Sequence, residues 1–330
     1  MTLEHKVRFR HRRRTGREVS PLRATAVVIE RPEHLVLKEL ELTAAGADDV
    51  VVEIAWSGIS TGTERLLWTG RMPTFPGMGY PLVPGYESVG EVVKAGSGSG
   101  LAVGERVFVP GARCYADARG LFGGAASRVV VPGNRVRRID ADLAAESTLL
   151  ALAATAQHAI AAGPPELIVG HGVLGRLVAR LTAAAGGAPV VWETDAGRAG
   201  GARGYDVRHP EADDRTDYAR ICDVSGDAGL LDTLIARLAH GGEIVLAGFY
   251  AERLGFAFAP AFVKEARMRV AAEWRDDDLA HVQALVATGA LDLGGLITHR
   301  APAAEAERAY RTAFTAPDCL KMVLDWSTRP

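Results

Sequence analysis

A two-part α/β architecture, β-rich first and a doubly wound parallel sheet second, is the fold class the sequence predicts. Three observations carry it. Short β-branched runs separated by Gly and Pro turns fill residues 24–142. Strands and helices then alternate from 167 to 288, and a glycine-rich run, Gly170-His-Gly172-Val173-Leu174-Gly175, sits between a strand and a helix.

The first strands are expected at residues 24–29, 35–40, 50–55, 88–93 and 106–109, divided by turn signals at Gly46, Gly96–Gly100 and Pro110-Gly111. An Ala-rich helical signal starts near Leu143 and runs to Ala162, where Gly163-Pro-Pro stops it. Strands 167–170 and 189–193 flank an apolar-periodic helix marked by Leu177, Val178 and Leu181. Strand 221–225, a helix at 229–239, strands 244–247 and 268–271 and a helix at 277–288 continue the alternation expected of a sheet covered on both faces. The expected organisation is a basic arm over 1–23, a first domain of 24–150 completed by 297–330, and a nucleotide domain of 151–296.

A length of 330 residues, 48% of them apolar and 24% charged, suits a globular enzyme with ample core. A net charge of −2 gives no case for nucleic-acid binding. Three scattered cysteines (Cys114, Cys222, Cys319) suggest neither a disulfide framework nor a metal cluster, and point to a reducing cytoplasm. No apolar run reaches the roughly 18 residues of a spanning helix. The arm, with Lys6 and Arg8, Arg10, Arg12, Arg13, Arg14 and Arg17, reads either as disordered chain or as an electrostatic contact with anionic lipid or a partner enzyme.

The glycine run carries specific chemistry. Its glycines permit a tight turn, let backbone N–H groups approach a pyrophosphate at the helix N-terminus, and allow close helix–strand packing. The next strand ends on Glu193, about 20 residues on, where a carboxylate takes the ribose hydroxyls of NAD and repels the extra phosphate of NADP. NAD is therefore the expected cofactor, bound by Gly170, Gly172, Val173, Leu174, Gly175 and Glu193 in a Rossmann domain. Ser225 and Gly248 join this set because they end strands on the carboxyl edge of the sheet.

The order of a β-rich half, a nucleotide fold and a return to the first half resembles the medium-chain dehydrogenase/reductase superfamily over about residues 24–326. Gly58-Ile-Ser-Thr-Gly-Thr-Glu64 is similar to its G-I-C-G-T-D turn, Pro84-Gly-Tyr-Glu-Ser-Val-Gly-Glu-Val92 to its P-G-H-E-x-x-G-x-V segment, and Val103-Gly-Glu-Arg-Val107 to its G-D-R-V strand. The resemblance implies a GroES-like catalytic domain, and a homodimer through an edge strand of the nucleotide domain. It also exposes a departure. Where zinc-dependent members place a cysteine, this chain has Ser60 or Thr61; where they place a histidine, it has Tyr86; the third ligand position, set by Thr155, is Ala151. Only Glu87 remains, and Cys114 stands alone where four structural cysteines would be. Neutral hydroxyls are poor zinc ligands, so no metal is expected.

Further strings, among them 75–87, 149–156, 246–250, 271–274 and 319–326, are similar to one branch of that superfamily. The resemblance implies the activity of that branch: NAD-dependent oxidation of the hydroxyethyl side chain of a bacteriochlorophyllide to acetyl, in bacteriochlorophyll biosynthesis. Two alternatives stay open, a zinc-free quinone or enoyl reductase and a pigment-binding protein without turnover.

Without zinc, a hydrogen-bonding group or base must help the hydroxyl proton leave. The candidates are Thr63, where zinc members keep a proton-relaying hydroxyl, Tyr86, Glu87 and His158 on the connecting helix. Glu87 reads equally as a brace in a buried ion pair, and His158 as a satisfied helix histidine. A flat macrocycle needs a wide apolar slot, for which Met72, Phe75, Tyr80, Phe122 and Tyr250 are the candidates; packing into the core is the alternative. Arg65, Arg71 and Arg128 are candidates for the substrate propionate, and His171 for a contact around the pyrophosphate.

Overall fold

The protein is described from a computed structural model covering residues 21–139 and 145–327. The basic arm therefore lies outside the described residues except for its last three positions, and so do the contacts assigned to it. The first residues of the expected Ala-rich helix are likewise outside.

Six strands form a wholly parallel sheet in the order Asp206–Arg208, Val190–Trp192, Leu167–Val169, Tyr218–Asp223, Leu238–Leu246 and Arg267–Val270. The chain winds outward in one direction from Leu167–Val169, then crosses to Tyr218–Asp223 and winds the other way. That reversal opens a crevice at the carboxyl ends of the two central strands. Leu167, Ile168, Ile221 and Ile244 are fully buried, as strands covered on both faces require. The helix Val173–Ala184 packs its Leu177 and Val178 onto this sheet, together with the helix Leu150–Ile160. The predicted α/β class is what the chain forms.

The remaining strands make a seven-stranded and a four-stranded sheet around a second core. In the larger, Asp49–Gly58 is central: it pairs with Ser88–Ala95, Arg128–Pro132 and Met322–Asp325, all antiparallel. The last pairing decides the site. Val323 lies opposite Gly58, and the Ile59 N–H donates to the Met322 carbonyl at 3.0 Å, which brings Lys321 beneath the 58–64 turn.

Two elements differ from expectation. The helix expected over 229–239 is Leu231–Arg237, and strand starts at once with Leu238, which pairs with Tyr218. Sheet pairing there overrides local helical preference. The helix Ala306–Thr315 follows a 3.6-residue pattern, burying Ala306, Ala309, Tyr310, Ala313 and Phe314, that the sequence analysis leaves unassigned. The helix Phe258–Lys264 and the short strands Leu82–Val83 and Arg119–Gly120 carry no periodic signal long enough to read. No helix among the described residues is long and apolar enough to cross a membrane.

Candidate active site

The glycine loop has the geometry its sequence implies. Gly170 sits at φ +102°, a left-handed conformation that disfavours side chains. A Cβ on Gly175 would lie 1.8 Å from the Gly170 carbonyl oxygen, so the helix can approach the strand only with glycine there. A Cβ on Gly172 would meet nothing within 4 Å, leaving open space above the helix it caps. Val173 and Leu174 form the first turn of that helix, whose unsatisfied amides favour an anion.

Glu193 closes the loop from the next strand end. Its two oxygens accept the His171 N–H at 3.1 Å and the Asp195 N–H at 2.9 Å. The His171 ring is fully buried and fixed on both nitrogens, to the Arg198 carbonyl at 2.7 Å and the Tyr205 hydroxyl at 2.8 Å. Burial pulls its pKa below the usual histidine value, so the ring stays neutral. It shapes the loop rather than binding through its ring.

On the carboxyl edge, Asp223 ties the ends of the two strands Tyr218–Asp223 and Leu238–Leu246 together. Its carboxylate accepts the Ser225 N–H and hydroxyl at 2.9 and 2.7 Å and the Tyr250 hydroxyl at 2.8 Å, while its carbonyl takes the Gly248 N–H at 3.1 Å. Tyr250 thus packs on the nucleotide sheet with its phenol engaged, and burial pushes that phenol far above its ordinary pKa.

Across the cleft stands a pair of hydroxyls. The Ser60 and Tyr86 oxygens lie 2.7 Å apart, with Thr63 beside the phenol. Ser60, rather than Thr61, therefore occupies the position facing Tyr86. The Tyr86 ring meets Phe122 edge-on at 5.4 Å and, from the nucleotide domain, the Trp274 ring at 6.3 Å. Burial raises the Tyr86 phenol well above its ordinary pKa, and the charge of Glu87 adds to the rise.

Behind this pair lies a buried charged cluster. Glu87 is fully buried and ion-paired with Lys321, itself 1% exposed, whose ammonium also donates to the Ile59 carbonyl at 2.9 Å. Burial raises the Glu87 carboxyl, and Lys321 opposes the rise. Glu64 accepts the Tyr310 hydroxyl at 2.6 Å and the Ser60 N–H at 3.2 Å. Gly58 is required here, since a Cβ would collide with the Glu87 carboxylate.

Not every expected residue joins the site. His158 binds Asp278 at 2.9 Å through Nδ1, on the helix Asp276–Ala287, rather than the hydroxyl pair. Met72 is buried in the core of the β-rich part, and Tyr80 spends its hydroxyl on the Leu67 carbonyl. Phe75 and Tyr80 pack, half-buried, against the same core. Phe122 alone of that group touches Tyr86. Arg128 is ion-paired with Glu53 and Arg71 faces Glu252 at 3.5 Å, whereas Arg65 is exposed with no ion pair among the described residues. Sequence reasoning missed Lys321, Tyr310 and Trp274. For Lys321 and Trp274 the only signal was membership in the shared strings 319–326 and 271–274.

The donor set does not fit zinc. Two neutral hydroxyls bound to each other and a carboxylate held by an ammonium replace thiolate and imidazole. Among the described residues no three His, Cys, Asp or Glu side chains come together as a metal site.

A GroES-like barrel joined to a doubly wound nucleotide sheet, with a glycine loop at the switch point of that sheet, is the architecture of a medium-chain dehydrogenase/reductase. The alcohol dehydrogenase GroES-like domain matches residues 46–141. An alcohol dehydrogenase of Escherichia coli, complexed with NADH, superposes with a TM-score of 0.77 at 20% identity, covering 92% of this chain and 99% of that one. The chain is 59% identical over 314 residues to the 2-desacetyl-2-hydroxyethyl bacteriochlorophyllide A dehydrogenase of Cereibacter sphaeroides, covering 92% of this chain and 99% of the relative. It is 58% identical over 305 residues to the protein of the same name from Rhodobacter capsulatus, covering 91% and 97%. The chain belongs to this family of hydroxyethyl bacteriochlorophyllide dehydrogenases.

Proposed function

We propose that this enzyme oxidises the hydroxyethyl side chain of a bacteriochlorophyllide to an acetyl group, with NAD as hydride acceptor and without zinc. The observation that carries the reading is the Ser60–Tyr86 hydroxyl pair standing where zinc-dependent members place metal ligands. The products balance as ketone, NADH and one proton. When bound, NAD supplies the acceptor for the hydride leaving the carbinol carbon.

The chain's own groups handle the rest. Tyr86 stays protonated, because burial holds its phenol up, so it acts as a hydrogen-bond donor to the carbinol oxygen and not as a base. Ser60 fixes the phenol's orientation, and the carbinol proton passes by way of the Thr63 hydroxyl beside the phenol to solvent water, its final acceptor. Such positioned proton transfer contributes typically ~10²–10⁴-fold. Phe122 and Trp274 flank the phenol with apolar surface suited to a flat macrocycle, and Arg65, exposed and with no ion pair among the described residues, suits its propionate.

The Glu193 carboxylate supports NAD over NADP, since a ribose phosphate there would meet a like charge. A homodimer is supported by the free side of the edge strand Arg267–Val270. Beside it Phe258, Phe262, Val263 and Val270 are exposed by 69–73%. Val270→Arg is expected to shift the sedimenting species from dimer to monomer; an unchanged monomer in the unsubstituted protein would dismiss the dimer.

The test is an absorbance assay with hydroxyethyl bacteriochlorophyllide. Conjugating a carbonyl to the macrocycle moves its long-wavelength band to the red, with one NADH formed per pigment and far slower turnover with NADP. Cofactor binding without any shift would overturn the reading.

A further inference from the structure

Glu64, Glu87 and Lys321 lie behind the hydroxyl pair, and all three are buried to within 1% of completely. Two carboxyls share one ammonium. Lys321 is committed to Glu87 and to the Ile59 carbonyl, whereas the Glu64 oxygens accept only the Ser60 N–H and the Tyr310 hydroxyl among the described residues. The two carboxyls are tied to successive residues of one turn, Glu87 through Lys321 to Ile59 and Glu64 directly to Ser60. A second buried negative charge without a cation of its own is expensive. A neutral carboxyl, by contrast, keeps the Ser60 N–H on its carbonyl oxygen and turns its own O–H onto the Tyr310 oxygen, since a phenol accepts as well as donates.

We propose that Glu64 carries a proton in the working enzyme and that losing this proton disables the Ser60–Tyr86 pair. Glu64 is then a positioning residue: it never touches substrate but sets the field in which the carbinol oxygen gives up its proton. The proposal rests on the reading that the hydroxyl pair serves that oxygen.

Negative charge grows on the carbinol oxygen as its proton leaves, and Tyr86 must donate to it. With Glu64 neutral, the Glu87–Lys321 pair leaves the cluster uncharged. With Glu64 ionised, a net negative charge sits directly on the Ser60 N–H and opposes the developing oxyanion. The groups facing Glu64 are Tyr310 from the helix Ala306–Thr315, Tyr86 and Glu87 from the segment before Ser88–Ala95, and Lys321 from the start of the last strand pairing. Lys321 is the single cation among them. Burial raises the Glu64 carboxyl most, the Tyr310 hydrogen bond resists, and Glu87 adds to the rise, which reaches about 7.

Two measurements on the full chain test this. In the first, kcat is followed from about pH 6 to 9 for the unsubstituted protein and for Glu64→Gln, an isostere of the neutral carboxyl. The ratio of variant to unsubstituted rate should climb about tenfold per pH unit above 7, because only the unsubstituted protein titrates there. In the second, the infrared C=O stretch of a protonated carboxyl should be present near pH 6, bleach through about 7, and be absent from Glu64→Gln. A rate ratio independent of pH overturns the coupling. No carboxyl band at pH 6 overturns the protonation, even if Glu64→Gln folds poorly. A protein whose carboxyl titrates as described but which never turns over the pigment instead sinks the proposed function.

Discussion

Replacing Lys321 with methionine is expected to cost about 3–5 kcal/mol of folding stability, since it strands the Glu87 carboxylate in the core. The ammonium holds two buried oxygens at once, those of Glu87 and of the Ile59 carbonyl at 2.9 Å. The other Glu87 oxygen has no hydrogen-bond partner among the described residues, so nothing else compensates the charge. The sign of the pH effect follows. Without Lys321 only burial acts on Glu87, so its folded pKa climbs further above the unfolded value. The variant regains stability relative to the unsubstituted protein as pH falls, because Glu87 takes up a proton and sheds the stranded charge. Denaturant unfolding at several pH values reads this directly. The double variant Lys321→Met with Glu87→Gln should recover much of the loss, since it removes both charges. A loss identical in single and double variants would mean that packing of the lysine stem, not charge, sets the cost.

Tyr86→Phe is expected to lower kcat by ~10²–10³-fold while leaving the KM for pigment within a fewfold, the signature of a hydrogen bond made to the developing oxyanion in the transition state. The ring contacts to Phe122 and Trp274 survive the substitution; only the hydroxyl 2.7 Å from Ser60 is lost. Ser60→Ala should lower kcat in the same direction by less, and the double variant should fall short of the product of the two because the groups act as one unit. Equal losses in kcat and pigment affinity would instead make Tyr86 a binding wall.

Much of this was legible in the chain. Alternation of strand and helix, and three glycines spaced for turn, approach and packing, are local signals, and the parallel sheet with Gly170 at its switch point follows from them. The replacement of zinc ligands, at Ser60 or Thr61 and at Tyr86, was legible through the family resemblance of the 58–64 and 84–92 segments, and the structure selects Ser60. What stayed hidden depends on distant segments meeting. Lys321 reaches Ile59 across 262 residues, through a C-terminal strand whose pairing with Asp49–Gly58 no periodicity announces. His158 finds Asp278 across 120 residues, which turns a candidate proton shuttle into a tie between helices. The polar-poor segment around Met72 suggested a substrate wall, yet Met72 fills the core beneath it, because low polarity marks burial of either kind.

The most direct test of the central claim, that hydroxyls do here what zinc does elsewhere, is turnover by metal-stripped enzyme. The protein is dialysed against a strong chelator, its residual zinc is quantified, and kcat is measured with hydroxyethyl bacteriochlorophyllide and NAD before and after zinc is restored. The geometry of Ser60, Tyr86 and the Glu87–Lys321 pair predicts the same rate in both states, with far less than one zinc per chain in the stripped enzyme. Activity that disappears on chelation and returns with stoichiometric zinc would contradict it.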